Sequence, residues 1–229
     1  MANKHSAKSI EDDIIHLRGQ VAEMAGLAEV AIGEAIEALV KGLDSVAKGV
    51  VSRDKQIDAL ELEIEKFAVR VIATRAPMAD DLREAVAAIR IAVDLERIGD
   101  HAKNIAKRST RIEGRSHFEP LTLIPAMGEL AIQMVHDVAT AYAARDASQA
   151  LDLIRRDAKL DAFHNSIFRN LITFMFEKPS TITSATELFA VSRNLKRIGD
   201  HVTNIAEMIY FISTGSYLAD SDNGLNIRN

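Results

Sequence analysis

The side chains with the clearest chemical potential in this 229-residue chain are carboxylates paired four residues apart. Asp54 and Asp58 form one pair, and Glu96 and Asp100 form another. Residues i and i+4 of a helix stand one turn apart on one face. On antiparallel neighbouring helices these four groups converge into an oxygen-rich site for a hard or borderline cation such as Mg, Mn or Fe. Like charges so placed repel, and a cation relieves that repulsion. Further along, Asp157 and Asp161 repeat the first pair, but Lys196 stands four residues before Asp200, where Glu96 stood before Asp100. The lysine removes a ligand and adds positive charge, while His164, at the position of Glu61, offers a nitrogen in compensation. The second site is therefore expected to be weaker, differently composed or empty. The competing reading of both rows is a solvated acidic face paired with lysines and arginines.

Signals for catalysis are thin. The chain has no G-x-S-x-G, no Gly-rich phosphate loop and no H-E-x-x-H. Ferritin-like di-metal enzymes need two E-x-x-H helices plus two more glutamates. Only Asp161-x-x-His164 and Asp13-x-x-His16 approach that pattern. A carboxylate-bridged metalloenzyme is thus the alternative to a non-enzymatic role. With no cysteine there is no disulfide and no thiolate chemistry. A net charge of −5 gives no electrostatic reason to hold nucleic acid. The first residues contain no apolar core of a secretion signal. The uncharged run from residue 208 is too short to span a bilayer, which needs about 20 residues, so any membrane contact is expected to be peripheral.

The elements that must position these groups read as helices. Gly and Pro together are 15 of 229 residues, too few for a turn-rich β-sandwich. Ile10, Ile14, Leu17, Val21, Met24, Ala28, Ala31, Ala35 and Ala38 follow a three–four spacing that predicts one long helix. Gly42 stops it and Asp44 is expected to cap the next, whose stripe is Ile57, Leu60, Ile64, Phe67 and Val71. Pro77 breaks the chain again, and Asp80 is expected to cap a third helix reaching about Arg108. On that third helix Ile91, Leu95, Ile98, Ala102 and Ile105 form the apolar stripe, which puts Glu96 and Asp100 on the opposite side.

The plan then repeats. Residues 94–106, DLERIGDHAKNIA, match residues 194–206, NLKRIGDHVTNIA, at nine of thirteen positions. Upstream the offset is 103, pairing Arg53, Asp54 and Asp58 with Arg156, Asp157 and Asp161. A period near 100 is a duplicated small domain rather than a solenoid. The second half breaks at Arg145-Asp146 and Lys178-Pro179, and Ser184 with Glu187 is expected to form a capping box. Residues 110–120 read as a charged linker, and the segment after Tyr217 as a polar tail. The fold expected is all-α, a tandem repeat of two three-helix bundles over residues 1–112 and 113–229. Gly99 and Gly199 sit at equivalent mid-helix positions, as simple close packing or as close approach that helps assemble the acidic site. His101 and His201 read as boundary residues, hydrogen-bonded or stacked. The connection from Arg75 to Arg83 reads as turn chemistry or as a partner-contact surface.

The sequences LERIGDH at 95–101 and LKRIGDH at 195–201, with Arg53-Asp54-Lys55, Arg156-Asp157-Ala158-Lys159 and the segment 75–83, resemble the PhoU family of phosphate-transport accessory proteins. The resemblance covers about residues 10 to 215. It implies two similar three-helix bundles and a cytoplasmic regulator rather than an enzyme. Such a regulator couples the phosphate ABC transporter to a membrane sensor histidine kinase, restraining phosphate uptake and starvation signalling when phosphate is plentiful. It further implies multinuclear clusters of Fe, Zn, Mn or Mg on E/D-x-x-x-D motifs. These fall on Asp54, Asp58, Glu96 and Asp100 in one half and on Asp157, Asp161 and Asp200 in the other. Lys196 departs from that pattern. A homodimer is also implied.

Overall fold

A computed structural model describes residues 2–115 and 118–220, which contain six α-helices and no strand. These are α1 (Ala2–Lys41), α2 (Asp44–Arg75), α3 (Asp80–Ser109), α4 (Ile124–Ala144), α5 (Ala147–Glu177) and α6 (Ile182–Thr214). Short 3₁₀ turns occupy Glu119–Leu123, Pro179–Thr181 and Leu218–Asp220. Each half is a three-helix bundle, as the repeat predicts. The halves meet along α3 with α6 and α1 with α4, so α2 and α5 lie outermost. One continuous core runs through both.

The predicted stripes are where the core forms. Ile14, Leu17, Val21, Met24, Ala28 and Ala35 of α1 are buried, as are Ile91, Leu95, Ile98, Ala102 and Ile105 of α3. α3 is buried more broadly than one stripe. Ala85, Ala88, Ala92 and Ala106 are also enclosed, because α1, α2 and α6 all pack on it. Small side chains let three neighbours approach one helix.

α3 and α6 run antiparallel about a pseudo-twofold that relates residue i to residue i+100. His101 and His201 meet at that axis, ring centroids 5.4 Å apart. His101 Nδ1 donates to Asn194 Oδ1 at 3.0 Å, and His201 Nδ1 donates to Asp94 Oδ1 at 2.8 Å, a mirrored pair. Burial, with His201 and Arg197 close by, holds His101 below the usual imidazole value despite the Asn194 hydrogen bond. Both histidines therefore join the halves.

Helix ends depart from expectation. Leu43, not Asp44, occupies the cap position of α2 and makes no side-chain cap; Asp44 sits in the first turn, where its charge favours the helix N-terminus. Ala79 likewise precedes α3, with Asp80 in its first turn paired to Arg83. Ser184 and Glu187 are no capping box, because α6 begins at Ile182 through a 3₁₀ turn. Ser184 Oγ instead accepts from Glu113 N, and Glu187 pairs with Arg108 of α3 at 2.7 Å. The side-chain cap in this half is Asp146, which accepts from the amides of Ser148 and Gln149 at the start of α5. The described residues of the linker pack against the bundles. Ile112 and Phe118 are core residues, and Arg115 Nε donates to Leu39 O. Of the tail, Leu218 is buried; residues 221–229 lie outside those described.

Candidate functional site

The antiparallel packing of α2 on α3 brings Asp54 and Asp58 against Glu96 and Asp100, as the spacing predicts. Their charges act on one another. The Asp58 carboxyl is pushed up by burial, then by Asp54 and Asp100, with Lys103 opposing. Glu96 is pushed up by burial, then by Asp100, Glu61 and Asp58, with Arg97 opposing. Glu61 therefore belongs to the same cluster. Glu96 and Asp100 are not on an open face: their side chains are 19% and 29% exposed, since α2 covers that side of α3.

The sequence reading missed the group at the centre. Lys103 Nζ is clamped between Asp54 Oδ2 and Asp100 Oδ1. Burial alone would lower this ammonium, yet its hydrogen bonds to Asp100 and Asp54 hold it above the ordinary lysine range. The signal was its position three residues after Asp100, on the same helical side.

In the second half Lys196 fills the same role from the opposite direction. Its Nζ lies 2.8 Å from Asp161 Oδ1 and 3.0 Å from Asp200 Oδ1. By repeat position Thr203 replaces Lys103 and Lys196 replaces Glu96, so each cluster carries one internal ammonium from a different turn of its helix. Asp157 sits deeper, its Oδ1 buried without a hydrogen-bond partner. His164 does not complete a ligand set, because its Nδ1 pairs with Ser192 Oγ at 3.0 Å and its ring packs on Phe189. Burial and then Lys196 hold His164 below the usual imidazole value.

Both mid-helix glycines serve close approach beside these clusters. A Cβ on Gly99 would stand 2.8 Å from Ile57 Cδ1. One on Gly199 would stand 2.6 Å from Leu160 Cδ1 and overlap Asp157 Oδ1. Ile57 and Leu160 are themselves repeat equivalents, so the same contact seats α2 on α3 and α5 on α6.

Burial first, then the charges of Asp200 and Asp161, push Asp157 up to about 6, against Lys196. A raised carboxyl disfavours the folded state once ionised. The penalty is absent below the unfolded value near ~4 and complete above about 6. Asp157→Asn is expected to raise unfolding free energy at pH 7.5 by ~1–2 kcal/mol, less than the full shift implies because solvent screens a half-buried site. At pH 4 the gain should vanish. Urea midpoints at the two pH values measure this; an equal gain at both would assign it to packing instead.

The donors are carboxylate oxygens, which suit hard cations, and the orphaned Asp157 Oδ1 is such a donor. Among the described residues no three acidic or imidazole groups already form a metal-ligand set. Lys103 and Lys196 stand between the carboxylates, so a metal would have to displace an ammonium.

A duplicated helical bundle with paired acidic clusters and a twin-histidine seam defines a class of two-copy, all-α domain proteins. The model of the PhoU domain matches twice, over residues 21–109 and 124–209, and the chain belongs to the PhoU family. It is 43% identical to a phosphate-specific transport system accessory protein PhoU homolog of Zymomonas mobilis, over 97% of this chain and 94% of that one. It is 42% identical to a homolog of the same description from Caulobacter vibrioides, over 98% of each. The crystal structure of PhoU from Pseudomonas aeruginosa superposes with a TM-score of 0.85 at 32% identity, covering 90% of this chain and 99% of that one. Among the described residues no helix is long and apolar enough to cross a membrane.

Proposed function

We propose that this protein is a non-enzymatic negative regulator of phosphate uptake and phosphate-starvation signalling. It acts on the cytoplasmic side of the membrane, linking the phosphate ABC transporter to a sensor histidine kinase through protein contacts. The observation that carries this reading is the near-full-length likeness, both domain copies included, to phosphate-transport accessory proteins. The halves, taken as residues 1–112 and 113–229, give such an adaptor two related faces for different partners, and a homodimer would double them. Deleting the gene should switch on phosphate-starvation genes in phosphate-rich medium, and the intact chain should restore repression. Unchanged expression after deletion would sink the proposal.

A metal role forms part of the same proposal. Asp54, Asp58, Glu96 and Asp100 would hold Fe, Zn, Mn or Mg in the first half, with Asp157, Asp161 and Asp200 as a poorer set in the second. When bound, the ion would supply charge neutralisation and cross-link α2 to α3. Glu96→Ala should lower metal content and Lys196→Glu should raise it, as read by elemental analysis of purified protein. No change in either removes metal from the account.

A further inference from the structure

The acidic cluster continues along α2 and α3 into a row of exposed aliphatic side chains. Leu62 and Val69 of α2 are 47% and 53% exposed; Val86 and Val93 of α3 are 37% and 41% exposed. Seven residues make nearly two turns, so Leu62 and Val69 share one side of α2, and Val86, Val93 and Asp100 share one side of α3. Asp58 lies one turn before Leu62, and Lys103 of α3 bridges Asp54 of α2 to Asp100, which sets the two sides next to each other. A lone exposed valine is ordinary, but a row of four beside a carboxylate cluster is a surface suited to a partner. The second half has lost this combination. At the positions of Leu62, Glu61, Val93 and Glu96 stand Asn165, His164, Arg193 and Lys196.

We propose that the outer α2–α3 face docks a basic amphipathic helix of a partner protein. Its apolar stripe lies on Leu62, Val69, Val86 and Val93, and its lysines or arginines meet the exposed Asp58 and compete with Arg97 and Lys103 for the partly covered Glu96 and Asp100. Two antiparallel helices present a groove that receives a third, and apolar anchors at helical spacing are how such grooves are read. Charge selects among occupants. An anionic lipid surface or a nucleic acid would be repelled by the carboxylates. A second copy of this chain offering the same face would set carboxylates against carboxylates. The partner's biological identity rests on the regulatory reading above; the docking itself does not.

Two synthetic helical peptides test this against the purified full chain by fluorescence anisotropy. Both carry the same leucine stripe, one flanked by lysines and the other by glutamates. The lysine peptide should bind, and weaken with added salt; the glutamate peptide should not. Val93→Arg with Glu96→Lys, which installs the second half's residues at the exposed Val93 and the partly covered Glu96, should weaken binding at least about tenfold. Asn165→Ala in the second half should leave it unchanged. No binding, equal binding of both peptides, or indifference to the double variant overturns the proposal. So does a concentration-dependent dimer that the same variant dissolves, which would make the face a self-interface. Gene deletion that derepresses while the double variant still represses would reject the docking and keep the regulatory role. Peptide binding with no effect of deletion would do the reverse.

Discussion

Alanine in place of Glu84 is expected to lower unfolding free energy by about 3–5 kcal/mol, measured by urea denaturation at neutral pH. Glu84 is fully buried in the first turns of α3 and is held by Arg18 of α1 and Arg145 at the end of α4. Arg145 has φ +54, and its amide closes α4 on Ala141 O and Tyr142 O. Ser213 of α6 donates its hydroxyl to Arg145 O at 2.9 Å. Glu84 and Arg145 together thus link four helices from both halves. The Tyr142 hydroxyl is buried beside it without a partner, and burial, then the Glu84 charge, hold that phenol above its ordinary value. Removing the acid leaves two guanidiniums confined together without their buried partner, and Arg145 Nε already lacks one. Glu84→Gln should lose most of the same energy, since an amide cannot neutralise either arginine. Arg18→Ala combined with Glu84→Ala should be less than additive, as expected for members of one network. A loss below about 1 kcal/mol for Glu84→Ala would mean that both arginines swing out to water and that the seam is held by apolar contact alone.

The same residue marks the limit of what the sequence made legible. Helix number, the repeat, the apolar stripes and the convergence of Asp58 with Asp100 follow from periodicity, because burial of a face imposes the 3.6-residue spacing directly. Glu84 carried no such mark: it lies among alanines on α3, and its partners are 66 and 61 residues away. Its repeat counterpart is Ser184, so the duplication hid it as well. The caps failed for a local reason. Asp44, Asp80 and Ser184 each fit an N-cap preference, but turns at Gly42, Ala76–Ala79 and Pro179–Thr181 shift where the first helical hydrogen bond forms. Lys103 carried no mark of a site residue, because a ligand pattern is written in carboxylates and imidazoles and an ammonium is the opposite of a ligand. Its place in the second half is taken by Thr203, so repeat comparison pointed at Lys196 alone.

Lys103→Glu is expected to cost about 3 kcal/mol or more at pH 7.5 in the presence of a chelator. The side chain is 21% exposed and bridges two carboxylates, one of which, Asp54, is itself buried. Reversing its charge places a further carboxylate among Asp54, Asp58, Glu61, Glu96 and Asp100. Because the folded value of Lys103 is raised, the stability it confers is fully present below the ordinary lysine value near ~10.4 and is lost only as pH rises through the higher folded value. The wild type should therefore lose none of this stability between pH 6 and 9. The variant should behave differently at the acid end. Asp58 and Glu96 are already pushed up, so they take protons as pH falls into the carboxylate range, and the deficit should shrink there. Millimolar Mn or Mg should regain it at pH 7.5 by standing where the ammonium stood, and Lys103→Met, which keeps the stem but adds no charge, should lie between the two. Thermal melts with and without chelator separate the contributions. Recovery by acid and by cation identifies Lys103 as the internal counter-ion of the cluster. A deficit that neither relieves, and that Lys103→Met shares in full, would instead assign the lysine to interhelical contacts that only its own ammonium can make.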